Sequence, residues 1–168
     1  MRWLAYFIFA YLALGIQVGL NGYVGIQGAQ PNFVLLLVVF IALNGARDQA
    51  LLGAFLLGIM QDLLTLQPMG TWAFSYGLVA MSVFSTQEIV YPEHPLTHFS
   101  LALSGGILCG VVLTLQHWVY PTLHGGVRPA GVGVVGFFSS ALYTALLAPI
   151  ALGVLQRMKG AFGFRKRN

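Results

Sequence analysis

Asp62 stands among apolar residues, in Gly58-Ile59-Met60-Gln61-Asp62-Leu63-Leu64. A carboxylate in an apolar helix costs roughly 2.5–3.5 kcal/mol at the centre of a bilayer and less near its surface. Two roles fit that cost. Asp62 either faces inward to bind a neighbouring helix, a cation or a partner, or it fixes a helix end by capping the turn into Gly70. Arg47 and Asp48 adjoin and read as a solvated turn, with Arg47 as a topology anchor. His94 and His98 are four apart beside Glu93, a spacing that puts two rings on one helix face. A metal needs further convergent ligands, and Pro95 interrupts the pair without any HExxH pattern, so the segment reads as a loop-to-helix boundary. His117 and His124 lack a third ligand. The sequence holds no glycine-rich phosphate loop, nucleophile elbow, pair of catalytic carboxylates or metal-ligand cluster. With four acids in all, the expectation is a non-enzymatic protein with no cofactor and no metal.

The rest of the chain must position these residues, and its composition says in what medium. Of 168 residues, 58% are apolar, 13% aromatic and 7% charged, with a mean hydropathy of +0.81; a soluble domain carries about 25% charge. A disordered chain is excluded, and a water-soluble globule would lack the polar residues to cover its core. One cysteine, Cys109, excludes an internal disulfide. Between Arg2 and Arg47 lie 44 uncharged residues, and uncharged stretches of 25, 34 and 28 follow at 63–87, 94–127 and 129–156. Crossing ~30 Å of hydrocarbon takes roughly 20 apolar residues. The backbone must then be helical to satisfy its own polar groups, and runs such as 33–40 lack the alternation of a barrel strand.

The pattern predicts an all-α, polytopic integral membrane protein, a single bundle over 1–168 with a short basic C-terminal tail. About six transmembrane helices are expected, at 3–21, 32–46, 49–66, 70–87, 97–119 and 131–155. Pro31, Pro68, Pro92, Pro95, Pro121 and Pro129 fall at or near the breaks, where a missing N–H costs least. The second segment is short for a full crossing. Arg2, Arg47, Arg157, Lys159, Arg165, Lys166 and Arg167 lie on one side and only Arg128 on the other, which puts both termini in the cytoplasm. The first segment reads as an uncleaved helix rather than a secretory signal. Beside a membrane, the tail from Arg157 to Arg167 suits anionic headgroups rather than nucleic acid. Gly15/Gly19, Gly106/Gly110, Ala54/Gly58 and Ala141/Ala145 are small-residue pairs that let helices approach closely. Trp3, Trp72, Trp118, Tyr23, Tyr91 and Tyr120 fall near expected helix ends, as an aromatic belt does.

Pro31-Asn32-Phe33 opening an aliphatic run, then Gly53-x4-Gly58-x3-Asp62-Leu63-Leu64 and Pro68-Met69-Gly70, resembles the rod shape-determining MreD family. The specific likeness covers residues 31–80; length, hydropathy and orientation are similar as well. The resemblance implies a multi-pass protein of the bacterial inner membrane that belongs to the elongation machinery building lateral peptidoglycan. Its implied partners are MreC and, through the complex, MreB, RodA and the penicillin-binding transpeptidase, with membrane lipid around it and no nucleic acid. Carried onto this chain, Pro31, Asn32, Gly58, Asp62 and Gly70 are motif positions, implied to serve packing or partner contact. The alternative is the substrate-binding membrane subunit of an energy-coupling vitamin transporter, which is similar in length and layout. It would need convergent polar groups in an apolar pocket, for which Asn44, Gln61, Asp62, Gln116 and His117 are the candidates.

Overall fold

The aliphatic run 33–42 forms a helix enclosed on every side. In this structure, a computed structural model, residues 2–19, 29–65, 68–86, 94–119 and 134–162 are described, without the side chains of residues 117, 118, 134, 135 and 161. Their regular elements are helices: α1 (Trp3–Gly19), α2 (Phe33–Asn44), α3 (Arg47–Leu64), α4 (Thr71–Thr86), α5 (Pro95–Val119), α6 (Val134–Arg157) and the short α7 (Lys159–Phe162). Val34 through Ala42 are at most 2% exposed, because α1, α3, α4, α5 and α6 all pack around α2. A helix apolar all round is one buried all round. At 12 residues, α2 is about 18 Å long, shorter than a bilayer core. Its ends meet protein.

The surrounding helices approach through small residues. A Cβ placed at Gly106 would lie 2.7 Å from the Ala141 Cβ, and one at Gly110 would lie 3.0 Å from that of Phe137, so α5 and α6 meet nearly backbone to backbone. Ala141, Ala145, Ala148 and Leu152 form the buried seam of α6. On α1 the seam is Tyr6, Ala10 and Leu14, and the Tyr6 hydroxyl donates to the Gly53 carbonyl of α3 at 2.7 Å. Gly15 and Gly19 differ from the other pairs: both face outward, with nothing within 4 Å of a built Cβ.

Large apolar side chains cover the outside. Leu4, Tyr11, Phe74, Leu146 and Ile150 are each at least 60% exposed, an outer surface far more apolar than a soluble monomer presents. Within α5 and α6, Pro95–Gln116 and Gly136–Arg157 are long and apolar enough to cross a membrane, whereas α1 and α2 are apolar but shorter.

Two local expectations change. Arg47 and Asp48 open α3 instead of forming the turn, which is left to Gly45 and Ala46; Asp48 there faces the positive end of the helix dipole. Pro95 is the first residue of α5, a position where its ring suits the helix. The expected start of the last helix, at 131, lies outside the described residues. Tyr23, Glu88, Tyr91, Pro92, Glu93, Tyr120, Pro121, His124, Arg128, Pro129, Arg165, Lys166 and Arg167 lie outside the described residues.

Candidate functional site

The first turn of α4 needs acceptors for its free N–H groups, and the sequence places glycine at the capping position. Gly70 accepts the first helical bond, from the Phe74 N–H at 2.9 Å, but has no side chain with which to cap. It is glycine because its φ of +96° suits the third position of a type II turn, where side chains are disfavoured. The cap comes from α3 instead. Asp62 Oδ2 accepts from the Gly70 N–H at 2.9 Å and the Ala73 N–H at 3.3 Å, and Oδ1 accepts from the Trp72 N–H at 3.0 Å. The remaining N–H, of Thr71, goes to the Pro68 carbonyl at 3.3 Å. A negative charge at a helix N-terminus is also favoured by the dipole, by up to about 2 kcal/mol in partly buried sites.

Gly58 makes this reach possible. One turn before Asp62 on the same face, its Cα lies against the α4 backbone, where a built Cβ would overlap the Cα and N of Ala73 and lie 2.6 Å from the Trp72 carbonyl carbon. Only glycine fits a contact of backbone on backbone. The spacing Gly58-x3-Asp62 thus brings the helices together and delivers the carboxylate to the start of α4. Asp62 is 4% exposed, with both oxygens engaged.

Asn32 performs the corresponding task at the start of α2, where its Oδ1 accepts from the Leu35 N–H at 2.8 Å. Its own N–H donates to the Thr144 hydroxyl of α6 at 2.9 Å, and the Phe33 N–H donates to Gln17 Oε1 of α1 at 2.8 Å. The Tyr76 hydroxyl of α4 lies 3.1 Å from Asn32 Oδ1 and 2.7 Å from Gln61 Oε1 of α3. A phenol has one proton to give. With the Gln61 amide turned end for end, its NH2 donates to Tyr76 while Tyr76 donates to Asn32, so each of the two contacts has a donor. Pro31, which has no N–H to satisfy, is buried just before this hub.

The hub therefore joins α1, α2, α3, α4 and α6 beside the Asp62 cap. Sequence reasoning singled out Asn32, Gly58, Asp62 and Gly70, all of which lie here. It passed over Gln17, Tyr76 and Thr144. Each is a lone polar group in an apolar stretch, and reading alternate helices in opposite directions puts them all at one end.

The described pocket candidates form no common pocket. Asn44 is at the far end of α2, donating to the Phe40 carbonyl at 2.9 Å, and Gln61 and Asp62 are engaged as above. The buried Gln116 amide has no hydrogen-bond partner among the described residues; the His117 side chain is outside them. His94 is exposed and His98 buried. No group of three or more His, Cys, Asp or Glu gathers among the described residues.

Buried polar groups that satisfy helix ends, inside an outer surface of large apolar side chains, define a helical membrane protein. The family model for the rod shape-determining protein MreD matches residues 1–157 of the chain, and the chain belongs to that family. Searches of curated proteins and of solved structures return no match. The family is one of shape-determining structural components and not a known enzyme family. The transporter-subunit alternative has no support from these findings.

Proposed function

We propose that this chain is a non-enzymatic, multi-pass component of the bacterial inner membrane that scaffolds MreC. Through the complex it would be linked to MreB, RodA and the penicillin-binding transpeptidase of cell elongation. The observation that supports this most is the family match over residues 1–157. Six crossings with both ends cytoplasmic fit the seven-to-one bias of basic residues. On this reading Pro31, Asn32, Gly58, Asp62 and Gly70 act from within. The carboxylate oxygens of Asp62 are already occupied by α4, so a partner meets the surface that Asp62 shapes.

The test is affinity purification of the tagged protein from native membranes in mild detergent, followed by mass spectrometry. Stoichiometric MreC with elongation enzymes is the expected result. Recovery of paired ATPases with a coupling membrane subunit, and no MreC, overturns the proposal. Reporter fusions at the C-terminus test the topology separately, and a periplasmic signal there removes the six-crossing arrangement.

A further inference from the structure

The end of the bundle opposite the polar hub brings together the two ends of the described chain. After α6, Lys159–Phe162 turn back and place Phe162 at 0% exposure. Its ring lies 4.6 Å from that of Phe9 and 5.1 Å from that of Phe40, centroid to centroid. The Phe162 carbonyl accepts from the Arg2 N–H at 2.8 Å. Arg2, Arg157 and Lys159 are thereby held in one neighbourhood, all exposed.

We propose that this edge binds anionic phospholipid, with Arg2, Arg157 and Lys159 meeting headgroup phosphates and Phe162 seating the segment that presents them. The proposal rests on reading the chain as membrane-embedded. The surface beside the cations identifies the partner. Leu4 is 78% exposed, Val154 53% and Met158 44%, so the basic residues rim an outward apolar wall, with Trp3 next to Arg2. A lipid has the matching pair of features, an acyl chain for the wall and a phosphate for the rim. Nucleic acid has no group for the wall. Arg47 and Asp48, exposed side by side at the start of α3, offset each other and are not counted among the binding cations.

The experiment uses the purified full-length protein. Flotation with phosphatidylcholine vesicles first tests bilayer insertion, and failure there overturns the membrane reading and this proposal with it. Native mass spectrometry then measures binding of phosphatidylglycerol and phosphatidylcholine added to the protein in neutral detergent. A basic residue at an anionic surface is worth about fivefold in affinity. The double variant Arg157→Gln/Lys159→Gln should therefore lose about 25-fold for phosphatidylglycerol and nothing for phosphatidylcholine. Phe162→Ala should weaken the same preference with every charge retained. Equal binding of the two lipids by the unmodified protein, or an unchanged preference in the double variant, overturns the lipid edge while leaving insertion intact. Preferential binding of an RNA oligonucleotide also overturns it.

Discussion

The two ends of the bundle are closed by different means. At one, oxygens of Gln17, Asn32, Asp62 and Thr144 accept the free N–H groups at the starts of α2 and α4, and the Tyr76 hydroxyl braces Asn32. At the other, the Phe162 ring packs on those of Phe9 and Phe40, and a backbone bond joins Arg2 to Phe162. Helices begin at both ends, but the starts of α2 and α4 lie against buried residues such as Pro31, Asp62 and Ala73, so their unpaired donors must be supplied with acceptors from within the protein. Hydrogen bonding fixes register there. The aromatic end fills volume, which tolerates variation in shape as long as the space stays occupied.

Substitutions can break this contrast in a graded way, read by thermal unfolding in detergent and by accumulation in membranes. Gly58→Val should be the most damaging, at about 3 kcal/mol or more, because the new side chain meets backbone and no rotamer avoids it; normal accumulation would refute the close approach. Asp62→Leu should follow at about 2–3 kcal/mol, since unsatisfied buried donors cost about 1–3 kcal/mol. Asp62→Asn should be milder because it keeps a carbonyl acceptor, and identical wild-type behaviour of both variants would show that the cap is dispensable.

Phe162→Ala should cost about 2 kcal/mol at the aromatic end. Apolar lipid weakens the transfer contribution, leaving mainly a cavity cost of about 24 cal/mol per Å³. Phe162→Leu should recover most of this, and failure to do so would mean that the aromatic end also depends on specific geometry. Tyr76→Phe should be the mildest, near 0.6 kcal/mol, as interhelical hydrogen bonds average in membranes. A loss as large as that of Asp62→Leu would mean the hub and the cap act as one network.

Sequence alone reaches the polar end more readily than the aromatic one. A lone carboxylate in an apolar run, a glycine one turn before it and Asn32 ahead of an aliphatic stretch are chemical anomalies, and anomalies stand out in one dimension. Asp62 as a cap of the turn into Gly70 was one of its two readings. Two of its three donors, the backbone N–H groups of Trp72 and Ala73, have no sequence signature. Phe162 leaves no trace, because Lys159-Gly160-Ala161-Phe162 reads as the start of a polar tail. Its burial depends on where Phe9 and Phe40 come to lie, which only the assembled bundle decides. Arg47 and Asp48 read as turn residues because charges in an apolar chain favour water; both are exposed, on the first turn of α3.

The carboxylate that completes α4 belongs to α3, and the order of synthesis gives this a consequence. The chain makes the acceptor before it makes the donors. Alone in hydrocarbon, α3 carries an uncompensated charge costing up to roughly 3 kcal/mol, and α4 alone carries open N–H groups. Paired, each cancels the other's penalty. On the six-crossing arrangement proposed above, Asp62 favours entry of α3 and α4 into the lipid together, as a closed hairpin.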